Sequence, residues 1–295
     1  MIRLATARCM EQLAERQGKE ISMRKLLITG ILVCIAGMVM PGLVQCGAIE
    51  KIKSRGYLVA GVKDSVVPFG YTQQGSDRII GFDVDICEHI SDKLGVALKI
   101  KTVTADNRLS MLTQGSVDML AAAMTHTFAR DEVIDFSLTY FKTGQKILVR
   151  KEAGIASVED LEGKKVGIVK GSTSEQNIKK AQPECTAIPF ESPRQAFKAL
   201  QQGKIAAVTT DEAILLGLKS RAEDPASWRV VGKFISTEPY GLGVPENDSD
   251  FRDFINRTLA DMWNSGAYLE IYRKWFGPDT DCHLPLVWTM QPWPY

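Results

Sequence analysis

Two stretches of this 295-residue chain repeat one pattern. Leu109-x-x-Leu112-Thr113-Gln114-Gly115 precedes an apolar strand, and so does Phe197-x-x-Leu200-Gln201-Gln202-Gly203. Each copy reads as a helix, a Gln-Gly stop where glycine can take the left-handed cap, a strand, and a polar turn. The turns are Thr125-His126-Thr127 and Thr209-Thr210-Asp211. Strand patterns at 57–62, 98–103, 117–123, 166–169, 186–190 and 205–208 alternate with helical ones at 84–94, 107–114, 193–202 and 213–219. Such alternation builds an α/β protein with largely parallel sheets. Its repetition predicts two similar lobes. Ligands in open α/β sheets lie beyond the carboxyl ends of the strands. Both polar turns sit at such ends, so two facing lobes bring them to one cleft.

The first 48 residues stand apart. Met23-Arg24-Lys25 is a basic start, residues 26–40 are apolar but for Thr29, and Pro41-Gly42 and Gly47-Ala48 follow. That reads as a secretory signal peptide with Met23 as the working start. Cleavage before Ile49 is expected, with a lipoprotein-like alternative at Cys46. Without residues 1–48 the chain keeps 30 basic and 32 acidic residues, which gives no basic footprint for nucleic acid. It also keeps Cys87, Cys185 and Cys282. Cys87 lies on an apolar helical face, and a Cys185–Cys282 disulfide is open in an exported protein. No Cys/His spacing suggests a metal, and no cofactor is expected. The tail, 278–295, carries four prolines and is expected to be irregular.

The polar turns carry the candidate chemistry. Arg130 follows the first turn and offers a bidentate fork to a carboxylate. Thr125 adds a hydroxyl. Gly171-Ser172-Thr173-Ser174 follows a strand and opens a helix, where free amides and the helix dipole attract an anion. Asp211 ends a strand and can accept from an ammonium. Each has a plainer reading: Arg130 as a solvated first-turn arginine, Ser172 and Ser174 as N-caps, Asp211-Glu212 as a dipole-stabilised pair. Together, across two lobes and behind an export signal, they match the needs of an α-amino acid.

Several stretches then resemble one family. They are Gly81-Phe82-Asp83-Val84-Asp85, Asp118 through Arg130 to Ser137, Leu161 through Gly167, Gly171-Ser172-Thr173, Asp211 and Lys274-Trp275-Phe276. From about Ile49 to Phe276 the chain resembles the periplasmic amino-acid-binding proteins of ABC uptake systems, the bacterial solute-binding family 3. Ser65 to Phe69, Asn107-Arg108, Gly171 to Glu175 and Trp228 to Lys233 liken it most to the glutamate/aspartate-binding branch. The resemblance implies a two-lobed type II periplasmic-binding-protein fold, each lobe a mainly parallel sheet flanked by helices, joined by two hinge strands. It implies that Arg130 and Thr125, helped by Ser172 and Thr173, hold an α-carboxylate, and that Asp211 holds the α-ammonium. In that branch, basic groups at the positions of Lys63 and Arg108 meet a side-chain carboxylate. Here Lys63 stands where arginine is usual, and Ala105, Ala123, Met124 and Pro193 replace polar contacts. Lys63 and Arg108 also have plain readings as surface residues.

The expected protein is a monomeric periplasmic binder that closes on a polar L-amino acid, acidic by the resemblance but with glutamine, asparagine or another polar amino acid open, and delivers it to an ABC permease in the inner membrane. The first lobe is expected at 49–143 plus 240–277 and the second at 144–239, with hinges near Thr143-Gly144 and Glu238-Pro239. Two rivals use the same fold. One is a cyclohexadienyl dehydratase-like enzyme, with His126 and Glu212 as its acid–base candidates. The other is a sensor-input domain.

Overall fold

The computed structural model describes residues 47–291, together with Arg16. The expected export signal lies almost wholly outside these residues, as does the end of the tail. Two five-stranded sheets dominate. The first comprises β1 (Tyr57–Val62), β5 (Ala97–Thr102), β6 (Met119–Ala121), β7 (Asp135–Thr143) and β13 (Glu238–Val244), in the order β5-β1-β6-β13-β7. The second comprises β8 (Gln145–Arg150), β9 (Lys165–Val169), β10 (Thr186–Phe190), β11 (Ala207–Asp211) and β12 (Trp228–Val231), in the order β10-β9-β11-β8-β12. In each sheet a single strand, β13 or β8, runs against the others. This is the two-lobed type II fold that the resemblance implies.

Helices cover both sheets: α1 (Ala48–Arg55), α2 (Phe82–Leu94), α3 (Arg108–Thr113), α4 (Phe128–Asp131), α5 (Ser174–Ala181), α6 (Pro193–Gln201), α7 (Glu212–Ser220), α8 (Ser249–Ser265) and α9 (Ala267–Phe276). Their ends follow local chemistry. Ser192 caps α6 by accepting from the Gln195 amide, and Pro193 opens it without losing a helical hydrogen bond. The two Gln-Gly stops behave alike, with Gly115 at φ 67° and Gly203 at φ 69°. Helix α2 turns Phe82, Ile86, Cys87 and Ile90 inward, so Cys87 is a core residue. Phe69, Phe82, Phe141, Tyr240, Tyr272 and Phe276 form a connected aromatic core in the first lobe, with Phe69–Phe141 and Phe141–Phe276 centroids both 4.9 Å apart.

The segment after β1, punctuated by Pro68 and Gly70, contributes β2 (Ser65–Val66) and β3 (Gly70–Thr72), which join β4 (Ile79–Ile80) in a small third sheet. Strands of two or three residues with Pro and Gly between them carry no alternation to read. The cysteines Cys87, Cys185 and Cys282 are all free, so the Cys185–Cys282 pair is not formed. Cys282 instead lies 3.6 Å from the Ser220 hydroxyl. The tail has no regular structure, but it is packed down: Cys282 and Met290 are buried, and Trp288 stacks near Trp263.

The chain passes between the sheets twice, from Thr143 to Gln145 and from Val231 to Glu238. Helix α7 belongs to the second sheet, yet Ala213 and Ile214 pack into the core cluster of the first lobe. This approach requires a glycine. A Cβ on Gly217 would overlap the Val67 carbonyl of the first lobe. Gly217→Ala is therefore expected to push the lobes apart. Small-angle scattering of the ligand-free variant should give a larger radius of gyration than wild type; an equal radius would show that this contact does not limit closure.

Candidate functional site

The sites at the strand ends converge. Lys63, Arg108, Thr125, Arg130, Ser172, Thr173 and Asp211 all line one narrow space between the two sheets, with Ala123, Pro193 and Thr210 among the other walls. Every residue singled out in the sequence for binding is there.

Each is placed by its local turn. Lys63 directly follows β1 and is only 7% exposed. Arg108 opens α3, after a turn in which the Thr104 amide donates to Asn107 Oδ1 and the Asn107 amide donates to Thr104 Oγ1. It is 2% exposed, so its plain reading as a surface arginine fails. Its Nη1 donates to the carbonyls of Ala122 and Ala123, at 2.9 and 3.5 Å, while Nε has no partner. Arg130 sits in α4 behind the Thr127 cap. Its Nη1 donates to the Thr125 carbonyl at 2.7 Å, and its Nη2 reaches across the cleft to the Gly171 carbonyl at 3.2 Å. Asp211 ends β11 and stands at the N-cap position of α7, where its side chain makes no capping bond. Tyr240 of the first lobe donates to its Oδ2, and its Oδ1 is buried without a partner.

The charges are close and dry. Burial, aided by the neighbouring Arg108, lowers the Lys63 pKa to about 7. Burial lowers Arg108 to about 9, and it also lowers Arg130. On the acidic side, burial and then the Glu238 charge raise Asp211 to about 7. Asp83 is fully buried on α2, and burial raises it to about 6. Its Oδ2 accepts from the Ala123 amide at 2.9 Å and its Oδ1 from the Tyr140 hydroxyl at 2.8 Å. The first of these holds Ala123 at φ 43°, the left-handed region that a residue with a Cβ seldom enters. Asp83 thereby shapes the wall on which Arg108 rests.

Three hydroxyls do not point where the resemblance expects. Ser172 Oγ donates to the Val169 carbonyl at 2.6 Å. Thr125 Oγ1 and Thr173 Oγ1 donate to Glu238 Oε2, at 2.5 and 2.9 Å. Glu238, Tyr240 and Asp83 bond to residues of the cavity wall without lining it, and sequence reasoning gave them no part in the site. Glu238 and Tyr240 did carry a signal: an acidic and an aromatic residue two apart in a hinge strand share one face. His126 and Glu212 point elsewhere. His126 Nε2 is 2.7 Å from Asp131 Oδ1, and Lys146 Nζ is 2.6 Å from Glu212 Oε1. Neither lines the space. Among the described residues, no group of His, Cys, Asp and Glu could hold a metal ion.

Comparison with known proteins identifies the family. The profile of the bacterial extracellular solute-binding proteins, family 3, matches residues 58–278. The glutamine-binding protein of an ABC transporter from Bacillus subtilis (strain 168) is 42% identical over 235 residues, covering 78% of this chain and 85% of its own. A glutamate/aspartate import solute-binding protein from Salmonella typhimurium (strain LT2) is 30% identical over 239 residues, covering 77% of this chain and 79% of its own. The solved structure of an ancestral arginine-binding protein bound to glutamine superposes with a TM-score of 0.71 at 38% identity, covering 76% of this chain and 99% of that one. The match to the family spans both sheets and every residue that lines the cavity, and the chain belongs to the bacterial extracellular solute-binding proteins, family 3.

Proposed function

We propose that the cavity takes up a polar L-amino acid, with glutamine as its first candidate, and that lobe closure delivers it to an ABC permease. One observation carries this reading. Arg130 of the first lobe and Asp211 of the second line the same small cavity, and Asp211 keeps one buried oxygen with no partner. A buried acceptor left open costs roughly 1–3 kcal/mol, which a ligand ammonium would remove. Arg130 has N–H groups beyond those given to Thr125 and Gly171, enough for an α-carboxylate. The turn at Gly171–Thr173 adds the N-terminal end of α5.

Lys63 and Arg108 are left for the side chain. Arg108 already gives Nη1 to two carbonyls, and Lys63 is a point donor whose pKa burial lowers to about 7. A carbonyl oxygen suits them without requiring a full second ion pair. The relative at 42% identity is a glutamine-binding protein by name, which supports the same choice. The acidic ligand expected from the resemblance is the competing outcome. The lobes would divide at 143–145 and 231–238. His126 and Glu212 are engaged with Asp131 and Lys146, which supports binding without turnover.

Calorimetry on refolded, ligand-free protein with the twenty amino acids tests the reading. Glutamine should bind, and Arg130→Ala should weaken it by about a hundredfold, the scale of a lost charge-assisted pair. No binding by any amino acid would sink the proposal. The pH profile separates the two ligands. The ligand ammonium needs ionised Asp211, whose pKa lies near 7. Affinity for glutamine should be full above that pH and fall below it, by up to about tenfold per unit. A side-chain carboxylate also needs protonated Lys63, so affinity for glutamate should fall on both sides of pH 7. Tyr240→Phe removes a donor that lowers the Asp211 pKa. The acidic limb for glutamine should then move to higher pH; an unmoved limb would assign it to another group.

A further inference from the structure

Glu238 is the most heavily engaged carboxylate described in the structure. It is the first residue of β13, it is 1% exposed, and it is not part of the cavity wall. Oε2 accepts from Thr125 Oγ1 at 2.5 Å and Thr173 Oγ1 at 2.9 Å. Oε1 accepts from Ser236 Oγ at 2.5 Å and Asn177 Nδ2 at 2.7 Å. Thr125 follows β6 of the first lobe and forms an isolated bridge with Tyr240. Thr173 and Asn177 belong to the turn and helix α5 of the second. The four donors can meet on one carboxylate only when the lobes stand as they do here. An ionised carboxylate accepts at both oxygens, so every donor is satisfied.

We infer that Glu238 is a latch: a positioning residue that holds the closed lobes together and sets the rate at which ligand leaves. It acts through Thr125 and Thr173, whose hydroxyls it orients along the edge of the cavity. The inference rests on the cavity being the ligand site. A latch stabilises closure with and without ligand. Its effect on equilibrium affinity therefore depends on how far the empty protein is already closed. Its effect on release does not, because the lobes must open before ligand escapes.

Glu238→Gln is the test. The amide keeps one acceptor oxygen and turns an NH₂ towards two donors. Two measurements are made: release of L-glutamine by stopped-flow fluorescence, and small-angle scattering of ligand-free protein. The latch predicts release about tenfold faster, the scale of a lost hydrogen bond to a charged group, together with a larger ligand-free radius of gyration. A residue that only stabilised the fold would lower the melting temperature and leave both readouts unchanged, and that result overturns the latch. If glutamine does not bind, the scattering alone decides it, so failure of the ligand assignment is distinguishable. If Glu238→Gln does not fold, Asn177→Ala removes one donor from the half-buried rim. It should show the same two changes at about threefold in rate, and their absence is equally decisive.

Discussion

Three cations are buried against each other where the two sheets meet, and their compensation governs this part of the molecule. Lys63, Arg108 and Arg130 are each less than a tenth exposed. Like charges in a poorly polarisable interior repel far more than in water. The compensating carboxylates, Asp83, Asp211 and Glu238, come from α2, β11 and β13. No single lobe holds all three. The neutral balance exists only when the second lobe brings Asp211 to the first, so electrostatics and closure are one problem. The raised pKa values of Asp83 and Asp211 and the lowered value of Lys63 follow first from burial; Glu238 adds to the rise of Asp211 and Arg108 to the fall of Lys63.

Much of this was legible in the residues. The Gln-Gly stops marked two equivalent helix–strand units because glycine is the cheapest residue at a left-handed cap, and both take that conformation. The polar turns then located the cavity, since strand ends in such sheets are where side chains converge. Glu238 was legible only as part of a hinge. Its spacing from Tyr240 places the two on one face of the hinge strand, but its four donors lie at positions 125, 173, 177 and 236, which only folding unites. For the small hydroxyl residues, position along the chain was legible but side-chain direction was not. Ser172 sits in the cavity wall, but a short side chain satisfies its nearest carbonyl first.

The contacts between the lobes differ in worth. Lys170 and Asp106 pair across the cleft at 2.9 Å, but both are about half exposed, and such a pair contributes at most about 1 kcal/mol. The bond from Arg130 Nη2 to the Gly171 carbonyl and the packing of α7 against Val67 are buried and depend on close backbone approach. Gly171 repeats the logic of Gly217, since a Cβ there would press on the backbone of Ala105 and Asp106. Closure is thus a matter of shape as much as of charge.

The first sheet is interrupted in sequence but continuous in space. The chain leaves it after Thr143 and returns at Glu238, and these two residues are register partners on neighbouring antiparallel strands. The whole second sheet is therefore an insertion whose ends emerge side by side. A short reverse turn joining Thr143 to Glu238 would preserve the pairing of β7 with β13 and close the first sheet on itself. The larger molecule can be read as a hairpin whose loop has been replaced by a second copy of the same architecture. A change in the angle between two neighbouring strands at that hairpin is enough to swing the whole inserted lobe.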